Sequence, residues 1–170
     1  DEFEEASVEE RVVMASLSAV PEAMREGVEA LFTLFAIFAE DAIVPDIAVD
    51  VVAPLIAKPK KMNVRRCLKQ LLKANILKGT METGVSVHDL VRDCMIRRAE
   101  TAREGGLRAT QREAVPLLLA AFDAGGPAAG YVSASLHWHV RQAQQTDFAI
   151  HTDTVLMSVL THKSGDVRKQ

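Results

Sequence analysis

His88 and Asp89 are adjacent at the point where a short apolar segment, residues 85–87, gives way to a polar helical pattern. A histidine at the start of a helix can donate a ring N–H to a phosphate oxygen, alongside backbone amides that the helix leaves unpaired. The pair is therefore chemically suited to contact a phosphate at this junction. A second interpretation stays open, in which His88 only caps the helix and forms a local hydrogen bond.

A basic stretch is the second group of side chains that is a candidate for function. Residues 58–78 contain eight lysines and arginines and no acid, although the whole chain has a net charge of −3. Asn63 is a good helix N-cap, and the apolar spacing that follows it predicts a helix over residues 63–74. The candidate face for a nucleic acid or another partner consists of Lys61, Arg65, Arg66, Lys69 and Lys73.

Two features of this basic helix argue against sequence-specific DNA recognition. Gln70 is the one amide side chain on its polar face that is suited to base contacts. The following turn, residues 82–84, is acidic rather than basic. Three interpretations remain: a DNA-binding regulator that contacts phosphates, a solvated face, or a face that docks onto an acidic surface such as residues 1–10. Nucleic-acid binding is the less favoured alternative.

A metal-dependent phosphohydrolase would also pair adjacent His and Asp residues with further ligands on neighbouring helices. Asp93, His137 and His139 are the further ligands that the sequence offers. Residues two apart on a helix point about 200° apart, so His137 and His139 cannot both line one site. We therefore expect no metal site and no catalytic residue.

The elements that must position these residues are mainly helical. The chain has 170 residues, of which only 5% are aromatic, and this composition favours helices over a β-sandwich. The predicted elements are helices over residues 7–17, 21–41, 46–55 and 63–74, strands over 76–80 and 85–87, and a long helix from residue 88.

Three helices, a small hairpin and another helix follow the order of a winged-helix domain, which we assign to residues 23–104. Residues 1–22 are predicted to be the entering helix of a preceding helical subdomain. Residues 107–162 are predicted to be a helical linker or the start of helical repeats, with helices at 107–122, 131–143 and 154–160. Residues 163–170 are expected to form a frayed tail.

Three parts of this sequence resemble the NB-ARC class of STAND signalling ATPases, which includes plant disease-resistance receptors and apoptotic protease-activating factors. Residues 15–22 and 31–41 look like the helix that enters the winged-helix subdomain, although Ala39 stands where that family usually has Pro. The segment VSVHDLVRD, residues 85–93, is similar to the family's MHD segment, with Val87 in place of Met. Residues 131–140 look like the tyrosine and L-x-x-H-L helix that often follows.

The resemblance implies that His88 contacts the β-phosphate of ADP in a resting state and that Asp89 orders the junction. ADP or ATP with Mg²⁺ would be held by an upstream nucleotide-binding domain of the same protein, and the activated protein would form a homo-oligomer. No glycine in the chain is followed by lysine, so no Walker A loop is present. The first residue is not Met, which also predicts a piece of a longer protein.

The expected location is the cytoplasm. Cys67 and Cys94 fall at apolar positions of helical segments and are predicted to be buried free thiols, which suits a reducing compartment. The acidic start of the chain is unlike a targeting peptide, and no apolar run is long enough to span a membrane.

Overall fold

The computed structural model describes residues 7–56 and 63–144, which fold around one hydrophobic core. Within these ranges the predicted mainly helical class is confirmed, with seven α-helices and one two-stranded sheet. The elements are α1 (Val8–Ser18), α2 (Glu22–Leu34), α3 (Asp46–Val52), α4 (Val64–Lys73), β1 (Leu77–Thr80), β2 (Gly84–Val87), α5 (Asp89–Thr101), α6 (Gly106–Asp123) and α7 (Ala129–Ala143). The predicted helix at 154–160, the tail at 163–170 and Lys61 lie outside the described residues.

Helix α2 carries the centre of the core, because its apolar residues recur every three or four positions and so share one face. A single 3₁₀ turn, Phe35–Ile37, extends the helix. The chain then becomes extended at Phe38 and takes a left-handed conformation at Asp41, where φ is 58°. The predicted face is confirmed by five fully buried side chains: Val28, Leu31, Phe32, Phe35 and Phe38.

Helix α3 differs from its prediction in the face that it buries. The apolar spacing of residues 46–55 predicts a buried face of Ile47, Val51 and Leu55, and these residues are only partly buried. The fully buried residues of the helix are Ala48, Val49 and Val52. The helix packs against both α4 and α6. Only its two aspartates are polar, so the hydrophobic period of this short helix does not select one face.

The β1–β2 hairpin is antiparallel, and Leu77 lies opposite Val87. A neighbouring extended residue joins it: the Val44 N–H donates to the Val85 oxygen at 2.8 Å, and the Val85 N–H donates to the Val44 oxygen at 2.9 Å. The sequence predicts this extended piece because Pro45 disfavours a helical conformation in the residue before it. The hairpin is thereby fixed to the segment between α2 and α3.

Helices α6 and α7 form a hairpin with a chain of three buried hydrogen bonds, one of which joins it to the 3₁₀ turn after α2. The Gln111 amide nitrogen donates to the main-chain oxygen of Ile37 at 2.6 Å. The Gln111 side-chain oxygen lies 2.8 Å from His139 Nδ1, and His139 Nε2 lies 2.9 Å from the Tyr131 hydroxyl. Because the Ile37 oxygen can only accept, the Gln111 side-chain oxygen faces His139 and accepts from Nδ1–H. The Tyr131 hydroxyl can donate to Nε2 or accept from it, and burial of the ring favours the neutral form, in which Nε2 accepts.

Candidate functional site

His88 lies at the junction between β2 and α5, where the sequence places it. It is the N-cap residue of α5 and has extended backbone dihedrals, φ −77° and ψ 133°. Its main-chain oxygen accepts bonds from the amides of Val91 and Arg92, at 2.8 and 3.2 Å. The amides of the first turn of this 13-residue helix therefore start next to the imidazole, where the helix dipole favours an anion.

The His88 side chain has no hydrogen-bond partner among the described residues. It occupies the N-cap position through its backbone and forms no side-chain cap bond to α5, so the local hydrogen bond of the cap interpretation is not seen among the described residues. Its Nδ1 is covered by protein yet unpaired. An unpaired buried polar atom costs about 1–3 kcal/mol of folding free energy, and such atoms are rare in folded proteins. The unpaired Nδ1 therefore distinguishes His88 from the other side chains of the junction.

The imidazole lines an open groove of about 390 Å³ between the end of α4 and β1. Asn75 and Lys78 contribute the other polar side chains of this groove, and Gly79 contributes backbone. Asn75 ends α4 in a left-handed conformation with φ 54°, as its position predicts. An ammonium group and an amide thus lie at the same opening as the imidazole, so the groove favours an anionic group.

Asp89 is exposed at the first position of α5. Its carboxylate lies 3.9 Å from the Lys78 ammonium, and both side chains are largely exposed. A pair of this kind contributes little to stability, although an acid in the first turn suits the helix dipole. The contact joins β1 to the start of α5 and is compatible with the ordering role that the resemblance implies for Asp89.

The structure separates the residues that a phosphohydrolase would need to bring together. His137 is exposed, whereas His139 is fully buried and uses both ring nitrogens for Gln111 and Tyr131. The predicted divergence of these two histidines is confirmed. Within residues 7–56 and 63–144, no three His, Cys, Asp or Glu residues are grouped to hold a metal ion.

The basic face of α4 is exposed along its whole length. Asn63 caps the helix as predicted, since its side-chain oxygen accepts a bond from the Arg66 amide at 3.0 Å. Arg65 leans toward α3 and pairs with Asp46 at 3.0 Å. The other cations of the predicted face, apart from Lys61, are exposed and form no ion pair with a described residue: Arg66, Lys69 and Lys73.

The buried network of Gln111, Tyr131 and His139 is a feature that the sequence analysis missed. Burial lowers the pKa of His139 to about 4 and raises the pKa of Tyr131. The available signal was the spacing of Tyr131 and His139, which lie eight residues apart and hence on one face of a helix. Their partner Gln111 comes from another helix, and nothing in the spacing along one helix identifies it.

No helix within the described ranges combines the length and the hydropathy that a bilayer crossing requires. Comparisons with models of known protein families, with curated proteins and with solved structures find no match to the chain.

Proposed function

We propose that the chain is a regulatory winged-helix module of a STAND-type signalling ATPase, in which His88 senses bound ADP. The module performs no catalysis itself. A nucleotide-binding domain of the same protein holds ADP or ATP with Mg²⁺, and His88 donates a hydrogen bond to a phosphate of ADP. Loss of that contact frees the module to move and lets the protein form a homo-oligomer.

The order of elements supports the winged-helix part of this proposal. Helix α2 is followed by the extended residue Val44, then by α3, α4 and the β1–β2 hairpin. Val44 pairs with β2, so the extended piece lies beside the hairpin on the side away from β1. A helix, a strand, two helices and a two-stranded wing whose second strand pairs with the first strand is the order expected of this fold.

The unpaired ring of His88 is the observation that carries the proposed function. Histidines that serve only the fold usually have their buried nitrogens paired, as His139 does. His88 instead has no hydrogen-bond partner among the described residues, begins α5 and lines a groove with Lys78. Because Nδ1 is covered by protein, a phosphate in the groove would receive its bond from the Nε2–H of the ring, together with the first-turn amides of α5 and the field of the ammonium group.

The packing of α5 supports the idea of a rigid arm. Arg92 of α5 donates to the main-chain oxygen of Phe38 at 3.0 Å, and Val91, Cys94 and Met95 are buried in the common core. A displacement at the start of α5 would therefore move the body of the module as one piece.

We place the module in the cytoplasm. Cys67 and Cys94 are both buried free thiols, which supports a reducing compartment.

The test is the nucleotide content of the complete protein with His88→Ala. A hydrogen bond to a charged phosphate contributes about 1.5–3 kcal/mol, so we expect the variant to bind ADP about 10- to 100-fold more weakly. Protein that has been passed through gel filtration is denatured, and the released nucleotide is quantified by chromatography. Light scattering should also show a larger oligomeric fraction without stimulation.

His137→Ala is the matched control, because His137 is an exposed histidine on α7, away from the junction. This control should retain ADP as the wild type does. His88→Ala should unfold at the same denaturant concentration as the wild type or a higher one, because it removes an unpaired buried nitrogen. Equal ADP content in the wild type and His88→Ala would disprove the proposal.

A further inference from the structure

The surface of α4 opposite the core carries an unbroken row of cations. Its buried residues, Val64, Cys67, Leu68 and Leu71, occupy one side. Arg66, Lys69 and Lys73 follow at three- and four-residue steps on the other side, and all three are exposed. At a rise of 1.5 Å per residue the row extends about 10 Å along the helix axis. We call these three residues the cationic row.

No acid among the described residues forms an ion pair with the cationic row. Helix α4 contains no Asp or Glu. On the neighbouring helix α3, Asp46 pairs with Arg65 at the flank of α4. Asp50 lies close enough to Asp46 and Arg65 that burial and the Asp46 charge raise its pKa. These acids are therefore directed at Arg65, and the row keeps its three positive charges.

We infer that the cationic row binds the phosphate backbone of duplex DNA without reading its sequence, an activity additional to nucleotide sensing. A stretch of about 10 Å can reach several phosphates of one strand. The N-terminal end of α4 adds its own partial positive charge beside Arg66. Base readout is not expected, because Gln70 is half-buried and Asn63 is engaged in capping its own helix.

Helix α4 exposes no large apolar side chain, which favours a nucleic acid over an acidic protein as the partner of the row. Protein interfaces contain an apolar, desolvated centre, whereas nucleic-acid interfaces are more polar and strongly positive. The large apolar side chains that are exposed among the described residues are Val8, Val12, Ile43 and Leu90, and none is on α4. The row therefore offers charge without the apolar anchor that a protein partner would use.

The binding experiment measures fluorescence anisotropy of a short labelled duplex of random sequence, titrated with the chain at several salt concentrations. Three phosphate contacts predict that log K falls with log salt with a slope of about −2.7, which is a loss of about 40-fold between 50 and 200 mM NaCl. The triple variant Arg66→Gln, Lys69→Gln, Lys73→Gln should abolish this binding and flatten the slope. Duplexes of different sequence should bind equally.

The matched control is a second triple variant, Arg11→Gln, Arg108→Gln, Arg141→Gln, which removes the same charge from α1, α6 and α7. It should bind DNA within about threefold of the wild type, because general net-charge effects are screened by salt. Circular dichroism confirms that both variants are folded. The inference is overturned by three results: no binding at low salt, equal losses in the two variants, or displacement of the duplex by polyglutamate at the same charge concentration. A negative result for DNA binding does not bear on the ADP content of His88→Ala, so the two proposals are tested separately.

Discussion

His139 is fully buried, and both of its ring nitrogens are hydrogen-bonded. The Tyr131 hydroxyl can donate to Nε2 or accept from it, so desolvation rather than hydrogen bonding decides the charge of the ring. Burial disfavours the charged form and lowers the pKa to about 4, from an ordinary value near 6.5. The folded chain therefore disfavours the protonated ring, whereas the unfolded chain binds the proton with the ordinary affinity of a histidine.

The pH dependence of stability follows from this difference. Between about pH 6.5 and pH 4 the unfolded chain binds a proton at His139 that the folded chain does not, so stability falls as the pH falls. Above pH 6.5 protonation of His139 does not reduce the free energy of unfolding. By pH 4 it has lowered the free energy of unfolding by about 3 kcal/mol. Urea unfolding at a series of pH values measures it, with His139→Gln for comparison. The variant keeps all the carboxylates and lacks this component, so parallel curves for the two proteins would refute the assignment.

At the scale of elements, the β1–β2 hairpin depends on a glycine whose conformation no other residue adopts cheaply. Gly79 has a φ of 99°, and a Cβ atom there would overlap the main-chain oxygen of Gly84 across the hairpin. That oxygen belongs to a paired strand and cannot move without breaking the register. Gly125, after α6, also has a positive φ, 64°, yet a Cβ atom there would meet open space.

These two glycines make a matched pair of substitutions. Gly79→Ala should destabilise the chain by about 3 kcal/mol or more, because backbone strain adds to the clash with the opposite strand. Gly125→Ala should cost about 1 kcal/mol, the strain of a left-handed alanine alone. Urea denaturation followed by circular dichroism gives both values. Similar losses of stability in the two variants would show that the hairpin relaxes and that the clash does not contribute to the loss.

A feature of these elements is predicted correctly from the sequence when the residues that determine it all lie in one element. Helix α4 is predicted correctly, with its cap at Asn63 and its buried Cys67 and Leu68, because its polar and apolar faces alternate clearly. The buried side of α3 is predicted incorrectly, since its side chains are apolar on most sides and its neighbours decide which are covered. A helix of seven residues gives periodicity too little length to decide between faces.

The same distinction applies to the candidate site. The position of His88 at a strand-to-helix junction is predicted from the residues next to it, and the structure places it there. The missing hydrogen-bond partner and the groove shared with Asn75 and Lys78 arise where β1, α4 and α5 meet. Tertiary contacts of this kind leave no periodic signal in the sequence. Gln111 is the clearest case, since its partner Ile37 lies 74 positions away.

At the scale of the whole molecule, the α6–α7 hairpin shares the core of the preceding helices. Ala114, Leu118, Val132 and Leu136 are buried in the same hydrophobic cluster as the residues of α2. The Phe38 ring meets the rings of Tyr131 and His139 edge-on, with centroids 5.8 and 6.1 Å apart. A hairpin attached in this way gains most of its burial from the rest of the module.

We therefore expect the hairpin and the preceding helices to unfold in one cooperative transition. Trp138, the single tryptophan, lies on α7 with its ring centroid 5.2 Å from that of His139, so its fluorescence reports on the hairpin. Far-UV circular dichroism reports on all the helices. The two signals should give the same urea midpoint, as a two-state transition requires. An earlier fluorescence transition would instead identify α6 and α7 as a separate folding unit.

Gln111→Leu sharpens this test, because it leaves the Ile37 oxygen and the His139 N–H without partners at the contact between the hairpin and the 3₁₀ turn. Each unpaired group costs about 1–3 kcal/mol, so both midpoints should fall by a large amount. If the core is shared, the fluorescence and circular dichroism midpoints fall together, because the hairpin cannot detach without exposing apolar surface on α3, α5 and the 3₁₀ turn after α2. If the fluorescence midpoint alone falls, the hairpin unfolds separately from the preceding helices, and the buried network is what docks it onto them.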